Sequence, residues 1–178
     1  MTVVDEHGRQ RPPEEANEID TLLGFLDFQR ATFDWKCRGL DATGMHLAVA
    51  PSPMTLAGLM KHLALVEEYW FTTRLWDREQ SAPWNAVDWD ADPDWDWHSA
   101  AGDTPEQLRS LWSRFVDQSR ANVAEALSEG DLEQVARNRV PGDSPNLRWI
   151  LCHMIEEYAR HNGHTDYLRE AVDGQTGE

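Results

Sequence analysis

Cysteine is scarce in this chain: Cys37 and Cys152 are the two present in 178 residues, and no CxxC spacing joins them. Both fall inside helical patterns, so they are expected as small, buried, reduced residues, which leaves no redox pair. Basic charge is also short, with 16 Lys and Arg against 32 Asp and Glu and a formal net charge of -16. That balance repels phosphate backbones and anionic membranes and offers no basic stripe, so nucleic-acid binding is excluded. Long apolar runs are missing, and the stretch from Met1 to Glu18 is polar, with Pro12-Pro13 and no apolar core of a leader. Neither a membrane span nor a signal peptide is expected, and the expected address is the cytoplasm.

Convincing alternating strands are lacking too, and what takes their place is four amphipathic stretches with helix punctuation. The fold class that follows is all-α, a four-helix bundle in one domain, long enough to bury roughly two-thirds of its unfolded surface. The expected domain is 14–172, with flexible tails at 1–13 and 173–178. The first helix is expected from about Glu14 to about Leu40, with Ile19, Leu22, Leu23, Leu26, Phe33 and Cys37 at helical spacing. A Gly- and Pro-containing connector, Asp41 to Pro53, follows. Thr55 then caps a second helix that reaches about Arg78. Thr104-Pro105-Glu106-Gln107 announces a third, with Pro105 in the first turn and Gln107 placed for a capping box. Ser144-Pro145-Asn146 restarts the chain by the same logic for a fourth, which runs to about Val172.

The residues that carry chemistry lie on the second and fourth helices. At about 100° per residue, Ile150, Met154, Glu157, His161, His164 and Leu168 share one face of the fourth helix, so polar groups point where the apolar ones place the core. An ionised carboxylate there needs a partner, and a divalent cation would satisfy it together with an imidazole. On the second helix His62 shares a face with Gly58, Leu59, Val66, Tyr69 and Thr73. One His from one helix and a Glu-x3-His pair from another supply two imidazoles and a carboxylate, an open ligand set. The alternative left open by spacing alone is a core histidine beside an ordinary helical Glu/His pair.

Two fragments narrow this. Met54-Thr55-Leu56-Ala57-Gly58-Leu59-Met60-Lys61-His62-Leu63 and His153-Met154-Ile155-Glu156-Glu157-Tyr158-Ala159-Arg160-His161-Asn162-Gly163-His164 together resemble the DinB-like superfamily. That superfamily includes mycothiol- and bacillithiol-dependent S-transferases and mycothiol-dependent maleylpyruvate isomerases. The resemblance covers roughly Ile19 to Leu168, although the two fragments carry nearly all its specificity. It implies a four-helix bundle with a divalent metal, zinc first and nickel second, held by His62, Glu157 and His161. Many relatives have His where this chain has Glu157, whereas the mycothiol-dependent isomerases resemble it in using a carboxylate.

The same resemblance implies a metal-dependent thiol S-transferase. Mycothiol is the favoured cosubstrate and an electrophilic small molecule the acceptor, with pairing into a homodimer. Thiol-dependent isomerisation, metal-dependent hydrolysis and non-catalytic metal or ligand binding are the rival readings. Around the implied ligands, His153 and His164 could each substitute as a ligand or support one with a hydrogen bond; His164 is the better candidate for proton handling, and His153 for a contact with a bound molecule. Tyr69 and Thr73, above His62, are candidates for shaping the pocket. Arg160 and Glu156 read as flank charges. The segment Ser81 to Asp103 holds Trp84, Trp89, Trp95 and Trp97 among acids, and indoles of that density predict a packed lid over the bundle mouth or a dimer contact.

Overall fold

The computed structural model describes residues 3–140 and 142–177, and among them every regular element is helical. Four long helices carry the architecture: α1 (Glu18–Cys37), α3 (Leu56–Glu68), α5 (Pro105–Glu129) and α6 (Leu147–Asp173). Short helices α2 (Ala42–Met45) and α4 (Trp95–Ser99) lie in the connectors. α1 packs along α6, α3 packs along α5, and α3 also meets α6, which closes the bundle. Its core is a continuous cluster that includes Leu26, Phe33, Leu59, Leu63, Phe71, Phe115, Ile150 and Met154. None of the described helices is long and apolar enough to cross a membrane.

Local chemistry sets the helix starts. Thr55 accepts from the Gly58 N–H at 3.0 Å and opens α3. Thr104 and Gln107 exchange bonds in a complete capping box with Pro105 in the first turn. α1 begins later than expected, because Asn17 is the residue whose side chain caps it, by accepting from Asp20. α6 likewise starts at Leu147 with Asn146 as cap, two residues beyond Ser144. The Pro145 carbonyl is already taken by the Ala136 N–H at 2.9 Å, which ties that residue to the connector instead of the helix.

The second helical stretch is not uniform. α3 gives way to a π-helical turn over Tyr69–Arg74, and Asp77, at φ 55°, ends the path just after Trp76. The wider turn rotates everything beyond Glu68 relative to a straight helix. Trp76 is a core residue, its Nε1 donating to the Asn122 carbonyl at 3.1 Å.

Charge is buried at the centre of the bundle. Arg30 grips Glu67 with two bonds of 2.7 Å, Tyr158 Oη donates to Glu67 Oε1 at 2.7 Å, and Trp112 Nε1 donates to Tyr158 Oη at 2.9 Å. Burial opposes the Arg30 charge, but the Glu67 carboxylate beside it holds its pKa above the usual value.

The connector from Ser81 to Asp103 packs as the tryptophan density predicts. Trp84 is buried against Phe115 and Trp95, at centroid distances of 5.9 and 6.1 Å. Towards the N-terminus, buried Arg9 donates to Asp5 and to Thr32 on α1, and Pro13 seats over Gly24, where a Cβ would lie 2.5 Å from Pro13 Cδ. The cysteines divide: Cys37 is buried as expected, whereas Cys152 is exposed on α6 and does not join the interior. Burial pushes the Cys37 thiol up to about 12.

Candidate functional site

His62 sits in the middle of α3 beside the fully buried Leu59 and Leu63, close enough to the bundle edge that its ring keeps some exposure. Across from it, α6 presents Glu157 and His161 one turn apart, with His161 Nε2 3.4 Å from Glu157 Oε2. The His62 and His161 rings meet edge to face at a centroid distance of 5.1 Å. One ligand atom from each of His62, Glu157 and His161 lies within 4.8 Å of the other two. Burial, reinforced by His62, His164 and Arg160, lowers the His161 pKa to about 4. At neutral pH its imidazole is therefore uncharged, the form in which a ring nitrogen can hold a metal.

Each member of this trio has a neighbour on its other side. Glu157 Oε1 lies 3.6 Å from Nε2 of His153, whose ring is stacked on Trp149 and edge-on to Trp70. The other ring nitrogen of His161, Nδ1, is 3.4 Å from Nδ1 of the exposed His164. Nδ1 of His62 is bonded to Oδ2 of Asp96 at 2.8 Å. Asp96 is 3 % exposed and comes from α4, inside the Trp-rich connector. The next residue, Trp97, stacks on the His62 ring at 4.7 Å and 25°.

Of the residues singled out from the sequence, His62, Glu157 and His161 converge, and His153 and His164 touch that group from either side. Tyr69 and Thr73 lie in the π turn. Tyr69 is 39 % exposed with its ring against Trp70, and the Thr73 hydroxyl is buried without a hydrogen-bond partner. Arg160 and Glu156 form an exposed pair at 2.7 Å. Sequence reasoning missed Asp96 altogether. It is one of five acids at alternate positions from Asp88 to Asp96, and only the short helix α4 turns it inward.

The family model for mycothiol-S-transferases matches residues 21–174. The chain belongs to this family. The match takes in all three converging residues and the whole Trp-rich connector, in accord with the DinB-like resemblance of the two helical fragments. No curated protein matches the chain. Membership in a mycothiol-S-transferase family makes a low-molecular-weight thiol the class of cosubstrate.

Proposed function

We propose that this family member is a metal-dependent S-transferase that joins the sulfur of mycothiol to an electrophilic carbon. The observation that carries the proposal is the convergence of His62, Glu157 and His161 from two helices. The donor set fits a divalent cation, zinc first and nickel second: two imidazoles and one carboxylate are a borderline-soft, incomplete shell with room for a further ligand. A bound cation supplies positive charge that lowers the pKa of a thiol and keeps it as thiolate near pH 7.

The chain's own residues do the rest. Neither cysteine belongs to the converging group, and Cys37 is held protonated by burial, so the nucleophilic sulfur comes from the cosubstrate. Glu157 offsets part of the cation's charge and leaves the centre net positive. The thiol sulfur forms a bond to the acceptor carbon, the leaving group departs with its electron pair, and the thiol proton passes to solvent. His164, exposed on one side and 3.4 Å from Nδ1 of His161 on the other, is the residue we assign to proton handling. His153, with Trp149 and Trp70, walls the Glu157 side with aromatic surface against which an acceptor can pack.

Elemental analysis of wild type and His161→Ala, purified side by side, tests the first half. Mass spectrometric detection of a mycothiol conjugate with a halogenated aromatic acceptor tests the second. Near-stoichiometric metal that falls in the variant, with conjugate formed by wild type alone, supports the reading. Substoichiometric metal in both, unchanged on adding zinc or nickel, sinks it.

A further inference from the structure

A histidine ligand has two ring nitrogens, and only one can face Glu157 and His161. In His62 the other is engaged: Nδ1 lies 2.8 Å from Oδ2 of Asp96, whose carboxyl group is almost wholly buried. Where that oxygen accepts, the hydrogen sits on Nδ1 and the lone pair on Nε2.

The segment that brings Asp96 is fastened to α3 at successive positions. The edge of the Trp97 indole fills the space beside Gly58, where a Cβ would come within 2.7 Å of Trp97 Cε3. Lys61, itself 4 % exposed, pairs with Asp103 and lies 4.6 Å from the Trp95 ring centroid. His62 receives Asp96 at its edge and Trp97 on its face. Positions 58, 61 and 62 of α3 thus hold Trp95, Asp96 and Trp97 at the start of α4, and Asp103 further along the same segment.

We propose that the Trp-rich connector is a clamp that sets the tautomer and ring plane of His62. In it, Asp96 and Trp97 act as positioning residues that aim Nε2 at the centre shared with Glu157 and His161. This rests on the proposed metal-dependent function for its consequence, but not for its geometry. Packing alone would need indoles in this segment; it would not need a buried carboxylate on the back of an imidazole. A partner of this kind typically changes metal affinity by about 10–100-fold when removed.

The test uses the full chain labelled with 15N at histidine, in Asp96→Asn, Asp96→Ala and Gly58→Ala beside wild type. Long-range proton–nitrogen spectra of metal-free protein at mildly alkaline pH read the His62 tautomer, and competition with a chromophoric chelator reads zinc affinity. Wild type is expected to carry the proton on Nδ1. Asp96→Asn is nearly isosteric, yet its amide can donate to Nδ1 and stabilise the opposite tautomer. Zinc affinity should fall about 10–100-fold there and in Asp96→Ala. Gly58→Ala should move in the same direction by displacing Trp97, with every polar group intact. A wild-type proton on Nε2, or an Asp96→Asn protein with unchanged tautomer and zinc affinity within about twofold of wild type, overturns the clamp. If wild type takes up no zinc while its His62 tautomer still follows Asp96, the clamp stands and the metal-dependent function falls.

Discussion

Oε2 of Glu157 lies 3.4 Å from Nε2 of His161, one turn along α6, which is longer than a good hydrogen bond between such atoms. The helix enforces this adjacency, and the uncharged imidazole gains little from it. What the spacing suits is a third body that both atoms can bind.

Glu157→Gln keeps the size of the side chain and removes its charge. Zinc affinity of the variant is expected to drop by at least about 10-fold, since loss even of a residue outside the ligand shell has that order of effect. Conjugation of mycothiol should fall with it. A chelator competition giving equal affinities for variant and wild type would remove Glu157 from the ligand set.

Acid should weaken the metal-free fold through His161. Its folded pKa, about 4, is below the ordinary 6.5, chiefly because of burial. Between those values the unfolded chain binds more protons, so stability rises with pH. The contribution is fully present above 6.5 and is lost as pH falls through about 4. Urea melts across that window should show this slope, and His161→Asn should flatten it. Parallel slopes in the two proteins would exclude His161 as the cause.

The buried pair Arg30 and Glu67 is the most vulnerable point of the core. Glu67→Ala leaves a guanidinium that is 4 % exposed with the half-exposed Asp27 carboxylate, 3.1 Å from its Nη1, in place of two short bonds, and should cost about 3 kcal/mol in chemical denaturation. The double change Arg30→Met with Glu67→Leu should recover most of that loss, because it leaves no charge behind. Tyr158→Phe, which removes one bond to Glu67 and the acceptor for Trp112, should cost about 1–3 kcal/mol. A Glu67→Ala loss below about 1 kcal/mol would mean that water reaches Arg30.

The two thiols should behave oppositely. Iodoacetamide on the native protein is expected to add once, at exposed Cys152, and to reach Cys37 only after denaturation. Cys152→Ser should conjugate mycothiol as fast as wild type. A slower variant would bring a protein sulfur into the reaction and overturn the assignment of the nucleophile to the cosubstrate.

Some of this was open to inspection in one dimension. Thr55, Thr104 and Gln107 announce their helices because a cap is a local bond, made within three residues of its own position. Helical periodicity puts His62, Glu157 and His161 on faces they share with core apolar residues, and the DinB-like resemblance of the two fragments is what implies that they act together. Local rules also misled. Ser144-Pro145 resembles a cap and first turn, but a backbone bond from Ala136 holds Pro145 outside the helix. A helical pattern puts Cys152 among the small buried residues, yet it faces solvent. Beyond Glu68 the register of Tyr69 and Thr73 relative to His62 depends on a π turn, which no residue pattern there announces.

By itself the sequence determined an all-helical bundle and the face on which two imidazoles and a carboxylate stand, because both follow from spacings of a few residues along regular helices. Tertiary structure alone decided that Asp96, among five alternating acids, reaches His62 across 34 positions of chain. It alone joined Arg30, Glu67 and Tyr158 from three helices into one buried network. Such partners are chosen by which surfaces remain once the helices have packed, and a linear pattern of residue types carries no record of that choice.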